Sequence, residues 1–105
     1  MKNIAIIGGG AAGFFAAITA KKQNKNNDVL IFERSKRVLA KVAITGGGRC
    51  NVTNSFNEIS SLTTAYPRGH KLLKRLFNIF DYTSCYQWFE EHGVKLIEIK
   101  VRIYK

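Results

Sequence analysis

Apolar residues gather in two short unbroken runs near the start of the chain, and each run ends abruptly. "NIAII", residues 3–7, is apolar after Asn3 and rich in β-branched side chains, the pattern of a strand buried on both faces of a parallel sheet. Three glycines follow at once. "AAGFFAAITAKK", residues 11–22, is rich in alanine, lacks proline and runs out in the polar stretch "QNKNN", so it reads as a helix. "DVLIFE", residues 28–33, is a second buried strand with Asp28 and Glu33 at its ends. Strand, tight glycine turn, helix and strand make half of a βαβ crossover sheet, because parallel strands need such a crossover. The fold class expected is α/β: a partial Rossmann-like dinucleotide-binding fold, followed by a loop-rich segment and two helices.

Periodicity then fades. Residues 34–69 carry a second glycine triplet, several Asn and Ser, and the single proline, Pro67. Long ordered loops of this kind usually carry function. A helical stripe returns in "HKLLKRLFNIF", residues 70–80, where Leu72, Leu73, Leu76, Phe77 and Phe80 oppose Lys71, Lys74, Arg75 and Asn78. Asp81 is placed to cap a further helix, "YTSCYQWFEEH", which Gly93 would end in a left-handed turn. "VKLIEI", residues 94–99, has the look of a strand. No internal repeat or low-complexity segment is visible.

Bulk properties narrow the classes. A chain of 105 residues holds one domain at most, and its 46% hydrophobic content argues against disorder. Its apolar stretches are too short to cross a bilayer as helices. Lys2 before an apolar run imitates a secretory signal, but the glycine triplet interrupts it and no convincing cleavage site follows, so the chain is expected to be cytoplasmic. Cys50 and Cys85 match no zinc or thioredoxin spacing and read as reduced thiols. The net charge of +10 raises nucleic-acid binding, yet the 17 Lys and Arg are dispersed, with no block of five and no nucleic-acid motif. Nucleic acid is therefore not an expected partner, nor is a membrane; the uneven charge also fits a chain belonging to something larger and more acidic.

Gly8, Gly10 and Gly13 form G-x-G-x-x-G between the first strand and the first helix. The first glycine permits the sharp turn, the second lets backbone approach a pyrophosphate, and the third lets helix and strand pack closely. The pyrophosphate would sit at the helix N-terminus around Ala12, where backbone N–H groups and the dipole favour anions. Glu33 lies 20 residues beyond Gly13, where a carboxylate accepts the ribose hydroxyls of an adenosine. It would repel a 2′-phosphate, although the neighbouring Arg34 could pair with one. The dinucleotide could be NAD or FAD on these grounds.

The second triplet, in "TGGGRCNVTN", removes three successive side chains before Arg49 and Asn51. Gly46, Gly47 and Gly48 free the backbone to take positive φ, Arg49 adds a cation, and Asn51 and Asn54 add amide donors, with Arg37 and Lys41 upstream. Composition suits a second contact along an extended anionic cofactor; it suits equally a structural loop whose Arg49 holds neighbouring carbonyls.

"IIGGGAAGFFAA", "FERSKRVLAKVAITGGGRCNVTN", "AYPRGHKLLKRLF" and "WFEEHGVKL" together resemble the N-terminal part of the YhiN/BaiN-like FAD-dependent oxidoreductase flavoproteins. The resemblance runs from about Ile4 to Leu96, and "GGGRCNVTN" is its most specific element. It implies FAD as cofactor, with NAD(P)H a possible electron donor and a small molecule as substrate. It also implies the cofactor contacts: Gly8, Gly10, Ala12 and Gly13 at the pyrophosphate, Glu33 and Arg34 at the ribose, and Lys41, Gly47, Gly48, Arg49 and Asn51 towards the flavin. Family members are several-fold longer, so residues 1–105 are expected to be the FAD-binding N-terminal segment of a longer protein, with a tail from about Glu98 that departs from the pattern.

Cys50 beside the second loop has no base or resolving thiol that the sequence can place, so it is expected to be a small, tightly packed residue. Cys85 is expected in the core, and Tyr86, Trp88 and Phe89 in helix packing. His70 and His92 flank helices without a partner at catalytic spacing. No catalytic residue is assigned and no metal site is expected. Two rivals to the flavoprotein reading stand: an NAD-binding half-domain, and a catalytically silent module that oligomerises through uncovered apolar surface.

Overall fold

The computed structural model describes residues 1–48, 50–55 and 61–96. It divides into two compact units, residues 1–51 and 52–105, which are taken in turn.

In the first unit, β1 (Asn3–Ile7), α1 (Ala11–Gln23) and β2 (Asp28–Phe32) follow the expected order. The strands pair in parallel, with Asn3 opposite Asp28 and Ile7 opposite Phe32. Glu33 stands one residue past β2 rather than ending it. Helix α1 packs against both strands on the side of Ile6. Ile4, Ile6, Val29 and Ile31 are half-buried on alternate positions, as the period of two requires. The opposite face differs from expectation. The sequence predicts strands buried on both faces, yet Ile7 is 83% exposed and Leu30 and Phe32 are each 53% exposed. One crossover helix covers only one face of its sheet, and among the described residues of this unit nothing covers the other.

The polar stretch after α1 is more than a helix stop. Asn27 is buried, with Oδ1 accepting the Lys2 backbone N–H at 3.0 Å and Nδ2 donating to the Ala20 carbonyl at 2.9 Å. Its own carbonyl accepts from Lys21 Nζ at 2.6 Å, and its backbone N–H donates to the Asn24 carbonyl at 2.9 Å. One side chain thus joins the start of β1, the end of α1 and the start of β2. After β2, a short helix α2 (Ala40–Ile44) and a 3-10 turn (Thr45–Gly48) occupy part of the stretch read as loop. Elements of four or five residues are too short to display a 3.6-residue repeat, which is why the sequence does not reveal them.

The second unit contains α3 (Leu62–Ala65), α4 (His70–Phe77) and α5 (Tyr82–Glu91). Helix α4 stops three residues earlier than its apolar stripe predicts; past it the Ile79 N–H makes a tighter i→i−3 bond to the Leu76 carbonyl at 3.0 Å, and the Phe80 N–H shares that carbonyl at 2.8 Å. Asp81 then caps α5: its Oδ1 accepts the Ser84 N–H at 3.0 Å and the Ser84 hydroxyl at 3.2 Å. Gly93, at φ +81°, ends the helix in the expected left-handed turn. Along α5, the Trp88 and Phe89 rings meet edge to face at 5.0 Å, and Trp88 stacks on His92 at 4.1 Å. His92 Nδ1 lies 2.6 Å from the Trp88 carbonyl, as suits an imidazole at a helix C-terminus. Cys85 is half-buried, and burial pushes its thiol above the usual range. Tyr86 donates its hydroxyl to the Leu96 carbonyl at 2.9 Å. Val94–Leu96 are not in a strand, and the remainder of the strand expected over 94–99 lies outside the described residues. Among the described residues no helix is long and apolar enough to cross a membrane.

Replacing Asn27 with Ala strands the Lys2 N–H and the Ala20 carbonyl, at a cost of about 1–3 kcal/mol; urea unfolding of the two proteins should show the mutant midpoint lowered with an unchanged slope. Asp81 carries a pH signature. Its carboxyl is held below the usual range first by the Ser84 N–H, so its stabilising effect is full above about pH 5 and fades as pH falls through the folded-state value. Asp81→Asn, which caps without ionising, should therefore show a smaller loss of urea midpoint than wild type between pH 6 and 3, an interval that spans the ordinary carboxylate range.

Candidate functional site

The first site is built where β1 hands over to α1. The Gly8 N–H donates to the Phe32 carbonyl at 2.8 Å, which prolongs the β1–β2 ladder by one residue before the chain turns. Gly10 is the residue before the helix and caps it with no side chain; the first helical bond is Phe14 N–H to the Gly10 carbonyl, at 3.1 Å. The N–H groups of Ala11, Ala12 and Gly13 precede that bond and form the positive end of the 13-residue helix. Gly13 is dictated by space: a Cβ there would lie 1.9 Å from the Gly8 carbonyl oxygen and 3.4 Å from Ile6 Cγ2. The first turn of α1 therefore rests directly on the loop before it, as the fingerprint requires.

Glu33 is brought to this loop. Its Oε1 accepts the Gly9 N–H at 2.9 Å and its Oε2 the Ser35 N–H at 2.7 Å. These two backbone donors, Ser35 first and Gly9 second, hold its carboxyl below the usual range, with a smaller contribution from the Arg34 charge. It is exposed and stays ionised at neutral pH, and each oxygen retains acceptor capacity beyond the bond it already makes. A vicinal diol could thus be received by a carboxylate whose orientation is already set.

Three residues near this point escaped the sequence reading. Gly9 fills an "x" of the fingerprint, yet it is buried, its carbonyl accepts the Leu39 N–H at 2.7 Å, and a Cβ on it would stand 3.0 Å from Val38 Cγ1 and 3.2 Å from Glu33 Cβ. Ser35 closes the turn after Glu33: its hydroxyl donates to the Arg37 carbonyl at 2.8 Å and accepts the Arg37 N–H at 3.3 Å. Leu39 has φ +55°, rare for a residue with a side chain, and leads into α2. The one hint in the sequence was a third glycine where the fingerprint asks for two.

The second glycine loop takes the positive φ expected of it: +61° at Gly46, +65° at Gly47 and +90° at Gly48. It folds back on itself through Cys50 N–H to the Thr45 carbonyl, 3.0 Å, and a Cβ at Gly46 would sit 2.9 Å from the Asn51 nitrogen. Gly47, Gly48, Asn51, Arg34 and Lys41 are all exposed, while Arg49 lies outside the described residues. Cys50 is a correction: expected to be tightly packed, it is exposed at φ +60°, since a loop turned back by its own backbone has no apolar layer to bury a side chain in. Asn54 belongs to the other unit. Gly8, Gly9, Gly13 and Glu33 are thus joined by direct contact; no described hydrogen bond joins the second loop to the first. Among the described residues no group of three or more His, Cys, Asp or Glu could hold a metal.

Comparison with known proteins agrees with this geometry. Residues 2–104 match the HI0933-like protein Rossmann domain. The chain is 33% identical over 94 residues to the 3-dehydro-bile acid delta(4,6)-reductase of Clostridium scindens, covering 90% of this chain and 22% of that protein. It is 32% identical over 89 residues to the ribosomal RNA dihydrouridine synthase of Escherichia coli, covering 85% and 21%. With the protein of the same name from Haemophilus influenzae it shares 45% identity over 49 residues, 47% of this chain and 12% of that one. The chain spans about a fifth of the length of the first two of these relatives. No solved structure gives a significant match. The strand–glycine loop–helix–strand unit, the carboxylate at its tip and the match over nearly the full length place this chain in the HI0933-like family, as its Rossmann domain.

Proposed function

We propose that this chain binds FAD and serves as the FAD-binding N-terminal segment of a cytoplasmic flavin-dependent oxidoreductase. The observation that carries the reading is the Glu33 carboxylate held 2.9 Å from the Gly9 N–H, beside the unpaired first turn of α1, in a chain of this family. Gly8, Gly10, Ala12 and Gly13 would receive the pyrophosphate through backbone N–H groups, and Glu33 would accept the ribose hydroxyls while Arg34 stands beside it. Lys41, Gly47, Gly48, Arg49 and Asn51 would follow the cofactor towards its flavin, with the two cations offsetting phosphate charge and the glycines admitting a flat ring close to the backbone. Bound FAD would supply the redox chemistry; these residues bind and orient.

The relatives' names bear on the substrate. A delta(4,6)-reductase and a dihydrouridine synthase both denote reduction of a carbon–carbon double bond, so we place the substrate of the whole protein among compounds carrying such a bond. NAD(P)H is the donor class we propose beside it. The second reading is an NAD-binding half-domain, which the same loop and carboxylate would serve.

The purified chain should be yellow, or become so with added FAD, and acid should release FAD in stoichiometric amount. Retention of NAD with no uptake of FAD would overturn the flavin reading in favour of the second. Gly13→Ala should lower stability by about 1–3 kcal/mol, as overpacking does. It should also weaken FAD binding about tenfold or more, the scale of one lost hydrogen bond to a charged group; fluorescence titration reads the second effect and thermal melting the first.

A further inference from the structure

The fingerprint gives Glu33 one task, at the ribose, and gives Gly9 none. The bonds around them say more. Glu33 Oε1 takes the Gly9 N–H at 2.9 Å, the Gly9 carbonyl takes the Leu39 N–H at 2.7 Å, and Glu33 Oε2 takes the Ser35 N–H at 2.7 Å. The Ser35 hydroxyl then joins both backbone groups of Arg37. Both backbone polar groups of Gly9 are thus engaged by the turn after β2, one near each end of residues 33–39. A Cβ on Gly9 would crowd the Val38 and Glu33 side chains, at 3.0 and 3.2 Å, so the two segments are packed closely as well.

We propose that Glu33 and Gly9 form a lock that fixes the pyrophosphate loop in place before any ligand arrives, making Glu33 a positioning residue for the diphosphate in addition to an acceptor for the ribose. The two roles predict opposite signs for a diphosphate that lacks ribose hydroxyls. Deleting a carboxylate next to an anion site tightens binding by Coulomb's law alone, since a repulsive charge is gone. Loss of the lock weakens it, because the loop must be ordered at the expense of binding free energy. The ligand half of this inference rests on the dinucleotide reading above; the lock itself does not.

The first experiment is amide hydrogen exchange by NMR on the ligand-free 105-residue chain. In Glu33→Ala the Gly9 amide should exchange about tenfold faster or more, the scale of one hydrogen bond to a charged acceptor. The Gly8 amide, bonded to the Phe32 carbonyl, should keep its protection and so report that the sheet is intact. Glu33→Gln, which retains one acceptor oxygen, should fall between the two and guards against a failure of the alanine variant to fold. The second experiment titrates ADP and 2′,3′-dideoxy-ADP, the latter having the diphosphate but no ribose diol. The lock requires Glu33→Ala to weaken dideoxy-ADP as well as ADP. Unchanged Gly9 exchange, or dideoxy-ADP bound equally or more tightly by the variant, would overturn the proposal while leaving the ribose role standing. A wild-type chain that binds neither nucleotide, with Gly9 protection still dependent on Glu33, would instead overturn the dinucleotide reading and leave the lock in place.

Discussion

Helix α1 can lie where it does only because Gly13 has no side chain. The Gly8 carbonyl occupies the space that a Cβ would need, so the helix and the loop before it touch backbone to backbone. From this contact follow the direction of α1 across the sheet, the side on which Ile6 is covered, and the point at which the helix presents its first N–H groups. A larger residue would move all three together. The positive end of α1 is in that sense a packing result before it is an electrostatic one.

The carboxylate at Glu33 is the electrostatic counterpart. An acid one strand away from the positive end of a helix would be favourable wherever it stood nearby, but here it is oriented by two backbone N–H groups. The side chain is exposed, so the bonds set geometry more than they add stability. What they achieve is coupling. The tip of β2 and the tip of β1 are held in one arrangement by bonds that cross between them, and under the proposed function a dinucleotide spanning both tips would meet a surface already shaped.

The parts of the fold that rest on local pattern were legible in the sequence. The two strands, α1, the Asp81 cap and the Gly93 stop each follow from a short run of residues whose chemistry admits little else. The spacing of the glycine loop and Glu33 is legible too, but the bond between Gly9 and Glu33 is not. What could not be read depended on contacts that residue type alone does not specify. Whether Ile7, Leu30 and Phe32 are covered is decided by what packs on them, and an apolar run is silent on that. The end of α4 is decided by where two N–H groups find a carbonyl, and its stripe of leucines continues regardless. Cys50 looked like packing material by residue type, but a loop closed by its own backbone left it outside. Gly9 is illegible for the opposite reason: the motif assigns roles to its neighbours and leaves its own position open.

Asn27 has a consequence for how such a domain can vary in length. Its side chain fastens the beginning of β1 to the end of α1, and its backbone begins β2, so the strand register is set there and not by the residues that lead up to it. Residues 25 and 26 are exposed and lie outside these fastenings. Insertions at that bend would lengthen the connection without sliding β2 along β1, whereas one residue gained or lost after Asn27 would carry Glu33 to the wrong face of the sheet. The bend and the strand, adjacent in the chain, thus answer to a change of length in opposite ways, and a single buried amide marks the border between them.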